Sequence, residues 1–340
     1  MPQRVGVITK YFAFNIGGFL QAHAMVQVLR GLGHEAELVE HMHTARRGRM
    51  LLSQWRARSL PQFVFKVRQW REFLRARALL PVSAPFRTGL HYDAAVIGSD
   101  ELWHLDNPTI GYNPLYFGHG APAPRVISYA SSFGSTPWSP DLPAGVVTGL
   151  RSFHELSARD DNTHDIIERV TGRDVPVVLD PTCLYDYAAE ALPPPETGYY
   201  LMYGAFHSSD VQQVRARAHR EGKRLISIAV YNPGCDANLV VSPFAWLGYY
   251  QGADAIITSM FHGTIFALKY GKPFAVIMRQ QKRANKINAL AARLGIEGRV
   301  LQDSTRVSEI LDRPPEGEAC DARLDELKRI SVDYLRQALA

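Results

Sequence analysis

The first forty residues constrain the fold more than any other stretch. Val5 to Thr9 is a short apolar run with polar residues on either side, the pattern of a buried strand. A polar loop, Asn15-Ile16-Gly17-Gly18, follows and opens a helix expected from about Phe19 to Leu32. Leu20, Ala24, Val28 and Leu32 recur there at helical spacing, and Gly31 and Gly33 mark the stop. Glu35 to Glu40 then alternates as a second strand. Strand, helix and strand in so short a span make a βαβ unit, which requires a parallel sheet and a right-handed crossover.

The pattern recurs along the chain. Further strands are expected at Ala94–Gly98, Val126–Ala130 and Val175–Leu179. The run Pro193-Pro194-Pro195-Glu196 can continue neither a helix nor a strand and reads as a linker. Beyond it come a strand at Tyr199–Tyr203, a helix at Ser209–Glu221, and strands at Arg224–Val230, Ala255–Thr258 and Pro273–Met278, with a closing helix at Arg323–Leu339. The expected domains are an N-terminal Rossmann-like domain over 1–192, a second over 197–318 and a closing helix over 319–340. No sequence repeat relates the halves. The fold class is α/β, with two doubly wound domains expected to face each other across a cleft.

A chain of 340 residues suits two such domains. Its composition, 46% hydrophobic and 21% charged, excludes fibrous and disordered classes. Three well-separated cysteines, Cys183, Cys235 and Cys320, give neither a disulfide framework nor a thiolate metal site, and a reducing cytoplasm is expected. No stretch carries the ~18 to 20 apolar residues that a membrane span needs, so any membrane contact is expected to be peripheral. The spacing of His, Asp and Glu shows no ligand pattern, and no essential metal is expected.

Residues 46–77 stand apart as a basic excursion of one or two amphipathic helices. They carry Arg46, Arg47, Arg49, Arg56, Arg58, Lys66, Arg68, Arg71, Arg75 and Arg77 against Glu72 alone, with Trp55, Phe63, Phe65, Trp70 and Phe73 between them. They fit either a helical excursion packed by its aromatics or contact with an anionic membrane or a diphosphate-linked lipid sugar. A net charge of +5 with such local clustering argues against nucleic acid.

In open parallel sheets, ligands bind beyond the carboxyl ends of the strands. Polar, glycine-containing loops follow the strands at Val5–Thr9, Ala94–Ile97, Val126–Ala130 and Ala255–Thr258. The first is not a GxGxxG dinucleotide fingerprint and no P-loop lysine follows, so no nucleotide cofactor is expected.

These loops together resemble the polysaccharide pyruvyl transferase family. The matching patterns are Asn15-Ile16-Gly17-Gly18-Phe19-Leu20-Gln21; Tyr92-Asp93 with Gly98-Ser99-Asp100-Glu101-Leu102-Trp103; and Tyr129-Ala130-Ser131-Ser132-Phe133-Gly134. Ser157-Ala158-Arg159-Asp160, Asp180-Pro181-Thr182 and Thr258-Ser259-Met260-Phe261-His262-Gly263-Thr264-Ile265-Phe266 complete the set. Glu101 stands where the family commonly has Gln, and Ile16 where Tyr is frequent. The resemblance implies a GT-B-like fold and a transferase that joins pyruvate to two hydroxyls of one sugar as a cyclic ketal. Phosphoenolpyruvate is the implied donor and phosphate the product. The sugar would belong to a bacterial cell-surface polysaccharide or its lipid-linked precursor, and the work would be done in the cytoplasm or at the inner face of the membrane. The alternatives are a GT-B-type glycosyltransferase using a nucleotide sugar and a non-catalytic sugar-binding relative. The first often carries acidic residues where Arg279 to Leu294 is basic here.

Such a donor is a phosphate and a carboxylate, which an arginine fork can bind bidentately. Arg159 is the first candidate; pairing with Asp160 or Asp161 on a helix surface is the plain alternative. His262 sits where a strand gives way to a helix beside Ser259, Gly263 and Thr264. An imidazole there can protonate the enol methylene, relieve a sugar hydroxyl of its proton, or hold phosphate. Arg279, Lys282, Arg283 and Lys286 follow the next strand, and one of them is expected to contact the donor phosphate. On the acceptor side stand Asn15, Gly17, Gly18, Ser99 and Asp100. Asp100 is a candidate base, with helix capping as the alternative. The Asn15 loop is equally well read as a tight strand-to-helix turn. Asp180-Pro181-Thr182 is read as a structural turn.

Overall fold

The computed structural model describes residues 1–11, 15–41, 57–85, 89–107, 111–279 and 281–340, the side chains of 281–285 excepted. The chain forms two compact units. The first comprises Met1–Leu51, Leu80–Asp186 and Leu324–Ala340, and the second Leu52–Leu79 with Tyr187–Arg323.

In the first unit, strands β1 (Arg4–Ile8), β2 (Glu35–Glu40), β3 (Val82–Pro85), β4 (Ala94–Ile97) and β5 (Arg125–Ser128) form one sheet. Its order is β3-β2-β1-β4-β5 and every pairing is parallel. Val5, Val7, Val96 and Ile97 are wholly buried, as befits a sheet covered on both faces. The helix Ile16–Gly31 links β1 to β2. Asn15 caps it, its side-chain oxygen accepting from the Gly18 N–H at 3.2 Å. Trp103 stacks on Phe117, tilts against Phe133 and meets Phe153 edge to face in an aromatic core beyond β4 and β5.

The second unit repeats the plan. Its strands are β6 (Tyr199–Tyr203), β7 (Arg224–Ile228), β8 (Ala237–Leu239), β9 (Ala253–Thr258), β10 (Phe274–Ile277) and β11 (Val300–Leu301). The order β11-β10-β9-β6-β7-β8 is again wholly parallel. Each sheet therefore has a switch point, β1 beside β4 in the first and β6 beside β9 in the second.

Four features depart from the sequence expectations. Val175–Leu179 is no strand: it adds one isolated bridge, Val177 to Ala158. Pro176 cannot donate to a ladder, so pairing does not propagate through it. The basic excursion, expected with the first domain, yields the helix Leu60–Arg77, which groups with the second unit. Gln69 Nε2 donates to the Ala229 carbonyl at 2.7 Å, and Phe65 meets Tyr231 edge to face at 5.7 Å. Residues 46–56 of that excursion lie outside the described residues. Finally, the closing helix, Glu318–Ala338, groups with the first unit from Leu324 onward. Tyr334 donates to the Ser128 carbonyl at 2.7 Å, Ser331 Oγ accepts from the Leu179 N–H at 2.9 Å, and Arg125 Nε donates to the Ala338 carbonyl at 2.7 Å. The Pro193 linker is not the break either. Division falls before Tyr187, and the Leu192 N–H already donates to Phe244 of the second unit at 3.3 Å.

Candidate active site

At the switch point of the first sheet, the loops after β1 and β4 are tied by buried polar groups. Gln21 Nε2 donates to Thr9 Oγ1 at 2.9 Å, and that hydroxyl donates to the Ser99 carbonyl at 2.9 Å. The Ser99 hydroxyl lies 2.8 Å from Gln21 Oε1 and 3.1 Å from Asp180 Oδ2. Arg159 Nη1 closes the chain, 3.4 Å from Asp180 Oδ2 and 3.8 Å from Asp100 Oδ1. Thr9, Gln21 and Ser99 are fully buried, and the Arg159 and Asp180 side chains are 2% and 0% exposed. Buried polar groups joined this way fix one another's positions.

Arg159 is thus not a surface arginine but one buried among acids. Burial alone would pull its pKa down, but Asp100, Asp180, Glu101 and Asp160 more than offset that and raise it, so the guanidinium stays charged. Asp160 caps the helix Asp161–Thr171, accepting from Thr163 N–H at 2.9 Å. Asp180 accepts from both the N–H and the hydroxyl of Thr182, at 3.1 and 2.8 Å. The turn expected to be structural is therefore also the arginine's buried counter-charge.

Asp100, 13% exposed at its side chain, accepts from the Glu101 N–H at 2.8 Å. It holds φ at 91°, and Ala130, in the loop beyond β5, holds φ at 48°. Positive φ at non-glycine residues costs energy and gathers where loops serve a ligand. Gly98, at φ 127°, lies so close to the Tyr129 carbonyl oxygen that a Cβ would collide with it.

Of the acceptor-side candidates, Asp100 reaches the surface of this network, whereas Ser99 is an interior member. Asn15 serves as a helix cap, and Gly17 and Gly18 are buried in the first turn behind it. Thr9 and Gln21 escaped the sequence reading, although Gln21 ends the first of the quoted patterns.

The switch point of the second sheet carries the other candidates. Thr258, ending β9, donates its hydroxyl to the Tyr203 carbonyl at 2.8 Å and accepts from the Met260 N–H at 3.0 Å. The helix Phe261–Lys269 begins there, with Thr264 Oγ1 donating back to the Met260 carbonyl at 3.2 Å. A Cβ on Gly263 would strike the Thr258 side chain, so only glycine lets the helix start this near the strand. His262, 8% exposed, is in the first turn, its ring edge-on to Phe261 at 5.4 Å. Lys286 Nζ lies 5.8 Å from the Phe261 ring, which brings one of the four expected cations to this helix end.

Arg279 is bound otherwise. Its Nε and Nη2 donate to the two oxygens of Asp210, at 2.8 and 2.7 Å, and Asp210 also accepts from Ser304 Oγ at 2.8 Å. Burial alone would raise the Asp210 pKa; Arg279 and Ser304 more than offset that and lower it. Arg279 remains 45% exposed at the carboxyl edge of the sheet. The side chains of Lys282 and Arg283 lie outside the described residues. Among the described residues, no cluster of three His, Cys, Asp or Glu side chains could hold a metal.

Among solved structures, the putative UDP-N-acetylglucosamine 2-epimerase of Listeria monocytogenes is similar at a TM-score of 0.54 and 10% identity. The match covers 100% of this chain and 96% of that one. S. aureus MnaA, solved with UDP, matches at a TM-score of 0.50 and 12% identity, over 98% of this chain and 92% of that one. At such identities the likeness is one of fold, the GT-B-like plan of two Rossmann-like units. A search of curated proteins gave no match. The profile of the polysaccharide pyruvyl transferase family matches residues 15–281, which include all six patterns. The chain belongs to the polysaccharide pyruvyl transferase family.

Proposed function

We propose that the protein transfers pyruvate from phosphoenolpyruvate to two hydroxyls of one sugar in a bacterial cell-surface polysaccharide or its lipid-linked precursor. The observation that carries this reading is the buried chain Thr9–Gln21–Ser99–Asp180–Arg159, which holds Asp100 at the switch point of the first sheet. Ketal formation needs a proton delivered to the enol methylene and protons taken from the attacking hydroxyls. The methylene becomes a methyl group, the first oxygen adds to the adjacent carbon, and the second displaces phosphate. Asp100 is assigned as base and His262 as the group that gives or recovers a proton. Arg159 is assigned to the donor anion, as are Ser259, Gly263 and Thr264 at the start of the helix Phe261–Lys269, and Lys286. No cofactor besides the phosphoenolpyruvate co-substrate enters this scheme.

The test is to incubate the protein with phosphoenolpyruvate and candidate oligosaccharide or lipid-linked acceptors and to measure phosphate. Acceptor-dependent release is expected. Its absence, together with thermal stabilisation by a nucleotide sugar, would favour a glycosyltransferase instead.

A further inference from the structure

The helix Leu60–Arg77 buries only Phe65 and Ala76. Its outer face is not the polar face of a solvated helix. Leu60, Val64 and Leu74 are 74%, 41% and 44% exposed, and Leu79 just beyond it is 57% exposed. At 100° per residue, Leu60, Val64, Arg68, Arg71 and Arg75 fall on one side of the helix, three cations among apolar neighbours. The acid nearest to hand, Glu72, is bonded to Arg75 at 2.5 Å. Between this helix and β8, with Tyr231 beside them, opens a cavity of about 710 Å³, walled by Leu60, Val64, Leu239 and Val240 and rimmed by Arg68 and Arg71.

Apolar area left in water is costly, and a helix that stays in water places polar groups outward. Apolar residues interleaved with arginines fit the boundary of a bilayer, where side-chain carbon enters the acyl region and guanidinium groups meet phosphate. The groove also has a defined place. Ala229 and Tyr231, which pin the helix, follow β7, and Val240 follows β8. It therefore opens at the carboxyl edge of the second sheet, the edge from which the helix carrying His262 begins.

We propose that this groove and the outer face of the helix Leu60–Arg77 dock on the surface of a membrane containing anionic phospholipids, the arginines taking the lipid phosphates. Docking does not depend on the transfer chemistry, so its test leaves phosphoenolpyruvate out. The full chain is sedimented with vesicles of phosphatidylcholine alone or of phosphatidylcholine with phosphatidylglycerol, at low and high salt. Pelleting with the anionic vesicles, weakened by salt, is expected. The variant Arg68→Gln/Arg71→Gln/Arg75→Gln should lower partitioning roughly a hundredfold, from the attraction each basic residue feels near such a surface. Leu60→Ser/Val64→Ser/Leu74→Ser should also release the protein, and unchanged melting temperatures would show that neither variant is merely unfolded. Wild-type protein that ignores anionic vesicles, or binds neutral ones as well, overturns the proposal, as do variants that pellet like wild type. A wild-type dimer that the serine variant turns into a monomer, with no vesicle binding, would identify the face as a contact between copies of this chain and would equally refute it.

Discussion

Arg159 is a cation surrounded by acids, and that sets what substitutions at its site will do. Asp100, Asp180, Glu101 and Asp160 all raise its pKa, so the fork is fixed as much as it is charged. A lysine keeps the charge and loses the planar geometry. Arg159→Lys is therefore expected to lose donor affinity nearly as severely as Arg159→Ala, seen as a raised KM for phosphoenolpyruvate, whereas His262→Ala should mainly lower kcat. Full turnover in the histidine variant would remove it from the proton chemistry. Asp180→Asn tests the other end of the network. It takes one acid from a buried cation that keeps Asp100 beside it, so the cost in urea unfolding is expected below the roughly 3 kcal/mol of a fully unpaired charge. The Asp180 role shows why the site was only partly legible: the sequence puts a capping residue before Pro181, but the arginine it meets is twenty-one positions away. Arg279 shows the converse. Its charge was visible, but its engagement with Asp210 depends on contact between segments 69 residues apart.

At the scale of elements, Asp236 ties the helix Ser208–Arg220 to β7 through the Leu225 N–H, His219 and Arg215. Burial alone would raise its carboxyl, but these donors more than offset that and hold it down at about 2. An unfolded aspartate titrates near pH 4, so the linkage contributes fully above about pH 4 and fades as the pH falls toward about 2. The stability gap between wild type and Asp236→Asn, measured by denaturant unfolding, should be constant from about pH 5 upward and close below about pH 4. A gap that widens in acid would contradict this sign. Elements with strong local signals, such as β2 and β6, stand at the residues expected of them. The short strands β8 and β11 escaped, because two or three residues carry no period and owe their place to the neighbour they pair with.

At the scale of the whole molecule, two parallel sheets follow from strand–loop–helix recurrence, which is local information. The routing of the chain between them is not, and that is where the linear boundaries at 192 and 319 miss the observed units. The returning segment, Leu324–Ala340, belongs to the first unit through Ser331, Tyr334 and the Ala338 carbonyl. Truncation after Arg323 is expected to expose β5 and the Leu179 segment to hydrogen exchange while β6 and β9 keep their protection. Equal loss across both sheets would show that the segment serves the chain as a whole.

The same routing sets a timetable on the ribosome. The second unit has all its residues once Arg323 is made, whereas the first still lacks its segment Leu324–Ala340. The part synthesised first is thus the part completed last. Until Leu324–Ala340 is made the Ser128 carbonyl and the Leu179 N–H lack these partners, so the first unit cannot close before the second has been synthesised.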